Sequence, residues 1–208
     1  MSRPIHRLLS SSAALTVLFA FGVLAAGCMS APAARSDVRY DFGPPVAAAS
    51  AATLPPVKVL DVNAPEGLES NRLLYRLSYA DAQQIASYAN SHWTMMPSQL
   101  LTQRLRGALS SSGTVLTGAD GVAAPVLKVD LSQFEQVFDS QTESHAAITA
   151  RATLTKSGKV IGQRTFVASA PASSADAAGG ARALATASDD LVAQIAAWLG
   201  AQALVASQ

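Results

Sequence analysis

The sequence predicts a single α+β domain, a mixed or largely antiparallel sheet covered by about two helices. Three observations carry this. Residues 127–168 hold three strand-like runs, the first two alternating apolar and polar side chains, joined by polar turns at Asp139 to Thr142 and at Ser157-Gly158, the pattern of a meander with one buried face. Residues 98–109 and 184–198 instead repeat their apolar side chains at helical spacing. Shorter strand-like runs precede the first of these helices, so strands and helices together must share one core.

Taken along the chain, Val38, Tyr40 and Phe42 alternate with Arg39 and Asp41 as a short strand over 38–43. Residues 44–56 are rich in alanine and proline, can bury little and read as a spacer. Val57-Lys58-Val59-Leu60-Asp61-Val62 is strand-like, and Asn63 to Gly67 supply a turn. Leu73, Tyr75, Leu77 and Tyr79 alternate with polar residues, giving a strand with one apolar face that Leu74 interrupts. From Asp81 the period changes, and Ile85, Tyr88 and Ala89 fit a short helical turn ahead of Trp93. Pro97 opens a better helix. Leu101, Leu105, Ala108 and Leu109 form its apolar stripe, while Gln99, Gln103, Arg104 and Arg106 carry its polar side. Gly113 lies past its end, where left-handed backbone is easily reached.

In the β-rich third, Leu127, Val129 and Leu131 share one parity, whereas Phe134 and Phe138 take the other. A bulge near Gln133 follows. After a turn at Asp139 to Thr142, Ala146, Ile148, Ala150, Ala152 and Leu154 alternate cleanly, and Ser157-Gly158 tips a tight hairpin into Val160 to Ala168. Ala170 to Gly180 is poor in bulky residues and reads as a surface loop. The closing helix places Leu184, Leu191, Ile195 and Trp198 on one face, with Asp189, Asp190 and Gln194 toward water.

The N-terminus has its own logic. Arg3, His6 and Arg7 precede the apolar run Ala13 to Leu24, which ends in Ala25-Ala26-Gly27-Cys28. These are the three parts of a secretory signal. An apolar run of about 12 residues is short of the ~20 that a membrane-crossing helix needs. Leu24-Ala25-Ala26-Gly27-Cys28 resembles the lipobox of bacterial lipoproteins, although Ala25 replaces the commoner leucine, and makes Cys28 the lipidation site. The alternative is an ordinary secreted protein cut near Ala26. Met29, where an inner-membrane retention signal would place aspartate, favours the outer membrane of a Gram-negative cell. The expected organisation is a signal peptide at 1–27, a lipidated cysteine and tether at 28–56, and a domain at 57–203 that the 38–43 strand can join.

Composition narrows the function. The 208 residues carry a net charge of +1, and only 14% are charged. No basic run is present to capture nucleic acid. One cysteine excludes an intrachain disulfide and a multi-cysteine metal site. The Gly-x-Ser-x-Gly elbow, the Gly-x-Gly-x-x-Gly fingerprint and the His-Glu-x-x-His helix are all missing. His92 and His145 lack neighbours at metal-ligand spacing. Neither catalytic residues nor a cofactor are therefore expected, and a hydrolase assembled from His145, an acid such as Asp130 and a serine is the remote alternative. Tyr75, Tyr79, Tyr88, Trp93, Met95 and Met96 are the one aromatic and methionine concentration. They serve either as core packing or as an exposed partner or lipid contact.

Leu74-Tyr75-Arg76-Leu77, Tyr88-Ala89-Asn90, His92-Trp93, Pro97, Leu100-Leu101 and Arg104-Leu105, taken with the lipobox, resemble the ABC-type transport auxiliary lipoproteins, the PqiC-like family. The resemblance implies a non-enzymatic outer-membrane lipoprotein. Its partners would be an MCE-type periplasmic protein and an inner-membrane ABC transporter or permease-like complex that moves lipids or other hydrophobic compounds, with homo-oligomerisation multiplying docking surfaces. A lipid-binding carrier, its pocket lined by the aromatic cluster, is the alternative.

Overall fold

Two consecutive hairpins spanning residues 126–171 form the spine of the fold. The computed structural model describes residues 36–45 and 54–206, with side chains through Gln202; the expected signal segment, Cys28 and most of the expected tether lie outside the described residues. Its elements are β1 (Val38–Tyr40), β2 (Leu54–Val59), a 3-10 turn (Glu66–Leu68), β3 (Arg72–Leu77), β4 (Ile85–Trp93), α1 (Pro97–Ser110), β5 (Gly113–Leu116), β6 (Val126–Phe138), β7 (Ser144–Lys156), β8 (Lys159–Pro171) and α2 (Ala177–Ala206). This is the α+β architecture that the periodicities predict: eight strands in one mixed sheet, with two helices.

β6, β7 and β8 pair antiparallel along their length. The Ser157-Gly158 tip has φ of 51° and 77°, the positive pair that a two-residue hairpin of matching twist requires. The other edge of β6 is divided. Its first half takes β2 in parallel, with β5 beyond. Its second half takes β3 in parallel, followed by antiparallel β4 and then β1. The register shifts between Leu131 and Gln133, where the sequence changes parity. That shift keeps Leu127, Val129 and Leu131 and then Phe134 and Phe138 all buried. Opposite them, α2 buries Leu184, Leu191, Ile195 and Trp198, each burial stabilising by about 1.5–3 kcal/mol before ordering costs are subtracted.

Four local expectations are corrected. Residues 85–93 form β4, not a helical turn; Asp81 accepts the Gln83 N–H at 2.9 Å, which closes a turn and returns the chain antiparallel to β3. The span 170–180 is not all loop, because β8 runs to Pro171 and α2 starts at Ala177. Gly113 is not a left-handed cap but the first residue of β5, where a Cβ would collide with the Leu54 carbonyl. β2 begins at Leu54, inside the span read as spacer; Pro55 and Pro56 are exposed and fall at its register shift with β5, where no ladder N–H is required.

Asp176 shows how α2 starts within small residues. Its Oδ1 accepts the Gly179 N–H at 2.7 Å and the Ser174 hydroxyl at 2.8 Å, an N-cap three residues from its donor. These bonds, the Gly179 N–H foremost, hold the carboxyl below its usual 3.8. Asp176→Ala is expected to cost about 1 kcal/mol at neutral pH. A depressed folded-state value stabilises above the unfolded value and is lost in acid. The difference from wild type in urea melts should therefore shrink as pH falls below 3.8.

Candidate functional site

The helices and the segment after β1 enclose a groove of about 880 Å³. Local bonding at Asp41 starts it. Asp41 Oδ1 accepts the Gly43 N–H at 2.7 Å, bending the chain as β1 ends while Phe42 is buried. There its ring lies 5.6 Å from Trp93 and 6.0 Å from Phe134. Leu100 of α1 and Val192 of α2 complete a buried apolar floor, and Met95, Ala108, Ala193 and Ala196 line the sides.

Arg104 locks these three parts together. Its Nη2 donates to the Phe42 and Gly43 carbonyls at 2.6 and 2.9 Å. Its Nε lies 3.3 Å from Asp189 Oδ1, and its guanidinium sits 5.8 Å over the Phe42 ring. Arg104 is therefore buried, not on the polar side of α1. Its position three and four residues from Leu101 and Leu100 already placed it in the apolar stripe. Burial pushes the Asp189 carboxyl up and the Arg104 charge only partly opposes this, the desolvation expected of a half-buried ion pair. Asp41 and Asp190 stand at the rim and are exposed. Neither has a cationic partner among the described residues.

The aromatic and methionine concentration divides between two places. Trp93 is fully buried beneath the groove, Met95 lines it, and Met96 precedes α1, its N–H bonded to Gln99 Oε1 at 3.3 Å. Tyr75 and Tyr88 lie elsewhere, on β3 and β4, with ring centroids 4.8 Å apart. Tyr88 donates to Gln136 Oε1 at 2.9 Å, and burial pushes its phenol well above the usual value, so it stays protonated. Tyr79 is 46% exposed in the β3–β4 turn. Of the six residues named from sequence, Met95 alone lines the groove. Asp41, Phe42, Arg104, Asp189 and Val192 were not singled out as a site, since their proximity depends on how three separate elements pack.

The histidines form separate contacts. His145 Nδ1 lies 2.7 Å from Asp139 Oδ2, and His92 Nδ1 lies 2.7 Å from Asp37 Oδ1. The His92 bond is the main cause of a lowered Asp37 carboxyl. Asp130 instead meets Lys128 at 2.9 Å and pairs across the ladder with Arg151, so His145 and Asp130 are not brought together. Among the described residues, no hydrogen bond joins a serine hydroxyl to either imidazole. The groove thus presents an apolar surface and carboxylates, which suits non-covalent docking.

Comparison with known proteins assigns a relationship to this arrangement. A family model described as "ABC-type transport auxiliary lipoprotein component" matches residues 40–196. A crystal structure of a Xanthomonas campestris protein is similar with a TM-score of 0.67 at 23% identity, covering 82% of this chain and 96% of that one. The crystal structure of an uncharacterized protein matches with a TM-score of 0.64 at 19% identity, covering 78% and 98%. A hypothetical protein from Chlamydia trachomatis matches at 0.50 and 11% identity, covering 74% and 98%. At these identities the structures establish a shared fold. No curated protein matches the sequence.

Proposed function

Because the chain belongs to the family of ABC-type transport auxiliary lipoprotein components, we propose that it docks an MCE-type periplasmic protein at the outer membrane. It would thereby join an inner-membrane ABC transporter or permease-like complex to the membrane that receives or supplies hydrophobic cargo. The observation that carries this reading is the family match over 40–196, which takes in all three parts of the groove. The protein's contribution is positional and non-enzymatic. Residues 1–27 direct export, Cys28 carries the lipid, the tether that follows gives reach, and the folded domain, which β1 joins, binds. Acyl chains contribute about 0.8 kcal/mol per buried methylene, and more than one chain makes the attachment lasting. Met29 supports the outer membrane as its location.

Affinity purification of the tagged, lipidated chain from membranes is expected to recover an MCE-type or transporter component; recovery of neither would overturn the reading. Cys28→Ala is expected to leave the domain folded, move it to the soluble fraction and abolish transport support. Full support from that soluble form would remove the positional role. A second reading, a lipid-binding carrier, is favoured by the groove's apolar lining and by a volume within the ~300–1,000 Å³ of ligand-sized clefts. Native mass spectrometry of the membrane-purified protein decides it by the presence or absence of a bound lipid.

A further inference from the structure

Charge and shape at the groove point beyond docking in general to one kind of occupant. Four charged residues line it: Asp41, Asp189, Asp190 and Arg104. Arg104 is directed inward: its Nη2 bonds the Phe42 and Gly43 carbonyls and its Nε faces the Asp189 carboxylate, while its buried Nη1 has no hydrogen-bond partner among the described residues. Asp41 and Asp190 stand at the exposed rim with no cationic partner among the described residues. Among the described residues their oxygens accept only the Gly43 N–H and the Gln194 amide, at 2.7 and 2.8 Å. The sides between rim and floor are apolar or small. An anionic headgroup entering here would meet uncompensated carboxylates, whereas an ammonium or guanidinium would find partners where neither charge need be deeply buried.

We propose that the groove between α1 and α2 receives an amphipathic segment of a protein partner, its apolar side chains seated over Phe42, Leu100 and Val192 and its lysines or arginines against Asp41 and Asp190. This rests on the docking reading above and adds which surface docks and what chemistry it selects. Helix-in-groove recognition supplies the precedent in physical terms: apolar anchors give affinity, and rim charges give orientation and encounter rate.

The test is photo-crosslinking in cells, with a benzophenone amino acid placed in the full lipidated chain at exposed Ala193 in the groove or at Val167 on β8, 65% exposed. Adducts are mapped by mass spectrometry. Position 193 is expected to capture an amphipathic segment of a transport component, with apolar residues on one face and lysine or arginine beside them. Asp41→Asn combined with Asp190→Asn preserves the acceptors for Gly43 and Gln194, and should lower that adduct about tenfold at unchanged membrane level and melting temperature. The proposal is overturned by adducts to phospholipid alone, by capture of an acidic or uncharged segment, or by a yield indifferent to neutralisation. Transport-component adducts at 167 and none at 193 would overturn the groove while leaving docking intact. No such adduct at either position, together with an empty affinity purification, would remove both.

Discussion

Arg76→Ala is expected to lower the unfolding free energy by about 3–5 kcal/mol. Glu135 on β6 is 2% exposed, which without compensation would be a prohibitive place for a carboxylate. Arg76 on β3 supplies the compensation through two bonds, Nε to Oε1 at 3.0 Å and Nη2 to Oε2 at 3.1 Å. Gln133 adds a third donor at 2.9 Å. Arg76 Nη1 also donates to the Ala82 carbonyl at 2.6 Å, so the same side chain fastens the β3–β4 turn. The two halves of the pair are unequal. Arg76 retains 20% side-chain exposure and Glu135 only 3%, so losing the arginine leaves the more deeply buried charge alone. Glu135→Gln should therefore cost less than Arg76→Ala, and Arg76→Leu with Glu135→Leu should recover much of the loss, because an apolar pair removes both desolvation costs. Urea melts of the four proteins check the order. Equal, small losses for both single variants would show that the pair is solvated in solution.

Trp93→Ala should cost a similar amount, about 3–5 kcal/mol, by emptying the centre of the core. Trp93 is fully buried and makes edge contacts with Phe42 and Phe134 at 5.6 and 5.7 Å. Its Nε1 has no hydrogen-bond partner among the described residues. Trp93→Phe therefore keeps a ring in place while deleting an unmatched donor, and is expected to cost less than about 1.5 kcal/mol. Thermal unfolding of both variants separates the two contributions. Since Phe42 floors the groove, the alanine variant should also lose partner crosslinking at position 193, and the phenylalanine variant should keep it.

How much of this was legible in the sequence varies with the range over which each signal acts. The β6–β7–β8 meander was, because alternation is a local signal and the Leu131-to-Phe134 parity change announces its own bulge. Both helices were visible in their apolar stripes. The β4 strand carries no such signal, because Ala86, Ser87, Ala89, Asn90 and Ser91 have no strand signature of their own. Its pairing with β3 decides its conformation, and β propensity is a matter of context. β5 was missed because its four residues are too short to show a period and acquire strand character from β2. The start of α2 was hidden by small residues, with the cap at Asp176 the signal that could have revealed it. The groove was least legible. Tyr88 and Trp93 lie on one strand yet end in different surroundings, while Phe42, Arg104 and Asp189 meet from distant positions.

The divided edge of β6 bears on the order in which the chain can be built. β2 and β3 have no direct ladder to one another; each is held parallel to β6, at Lys58 to Val126 and at Tyr75 to Gln136. Both must wait for a template synthesised long after them. Residues 126–171 can close their hairpins from neighbouring sequence, whereas the parallel pairs carry the entropy of large loops. The first half of the domain therefore leaves the export channel first, with its strand edges and the future burial sites of Leu73 and Trp93 uncovered, and the second half nucleates the whole. Truncations ending before Phe138 should consequently behave as chaperone clients and not as independent domains.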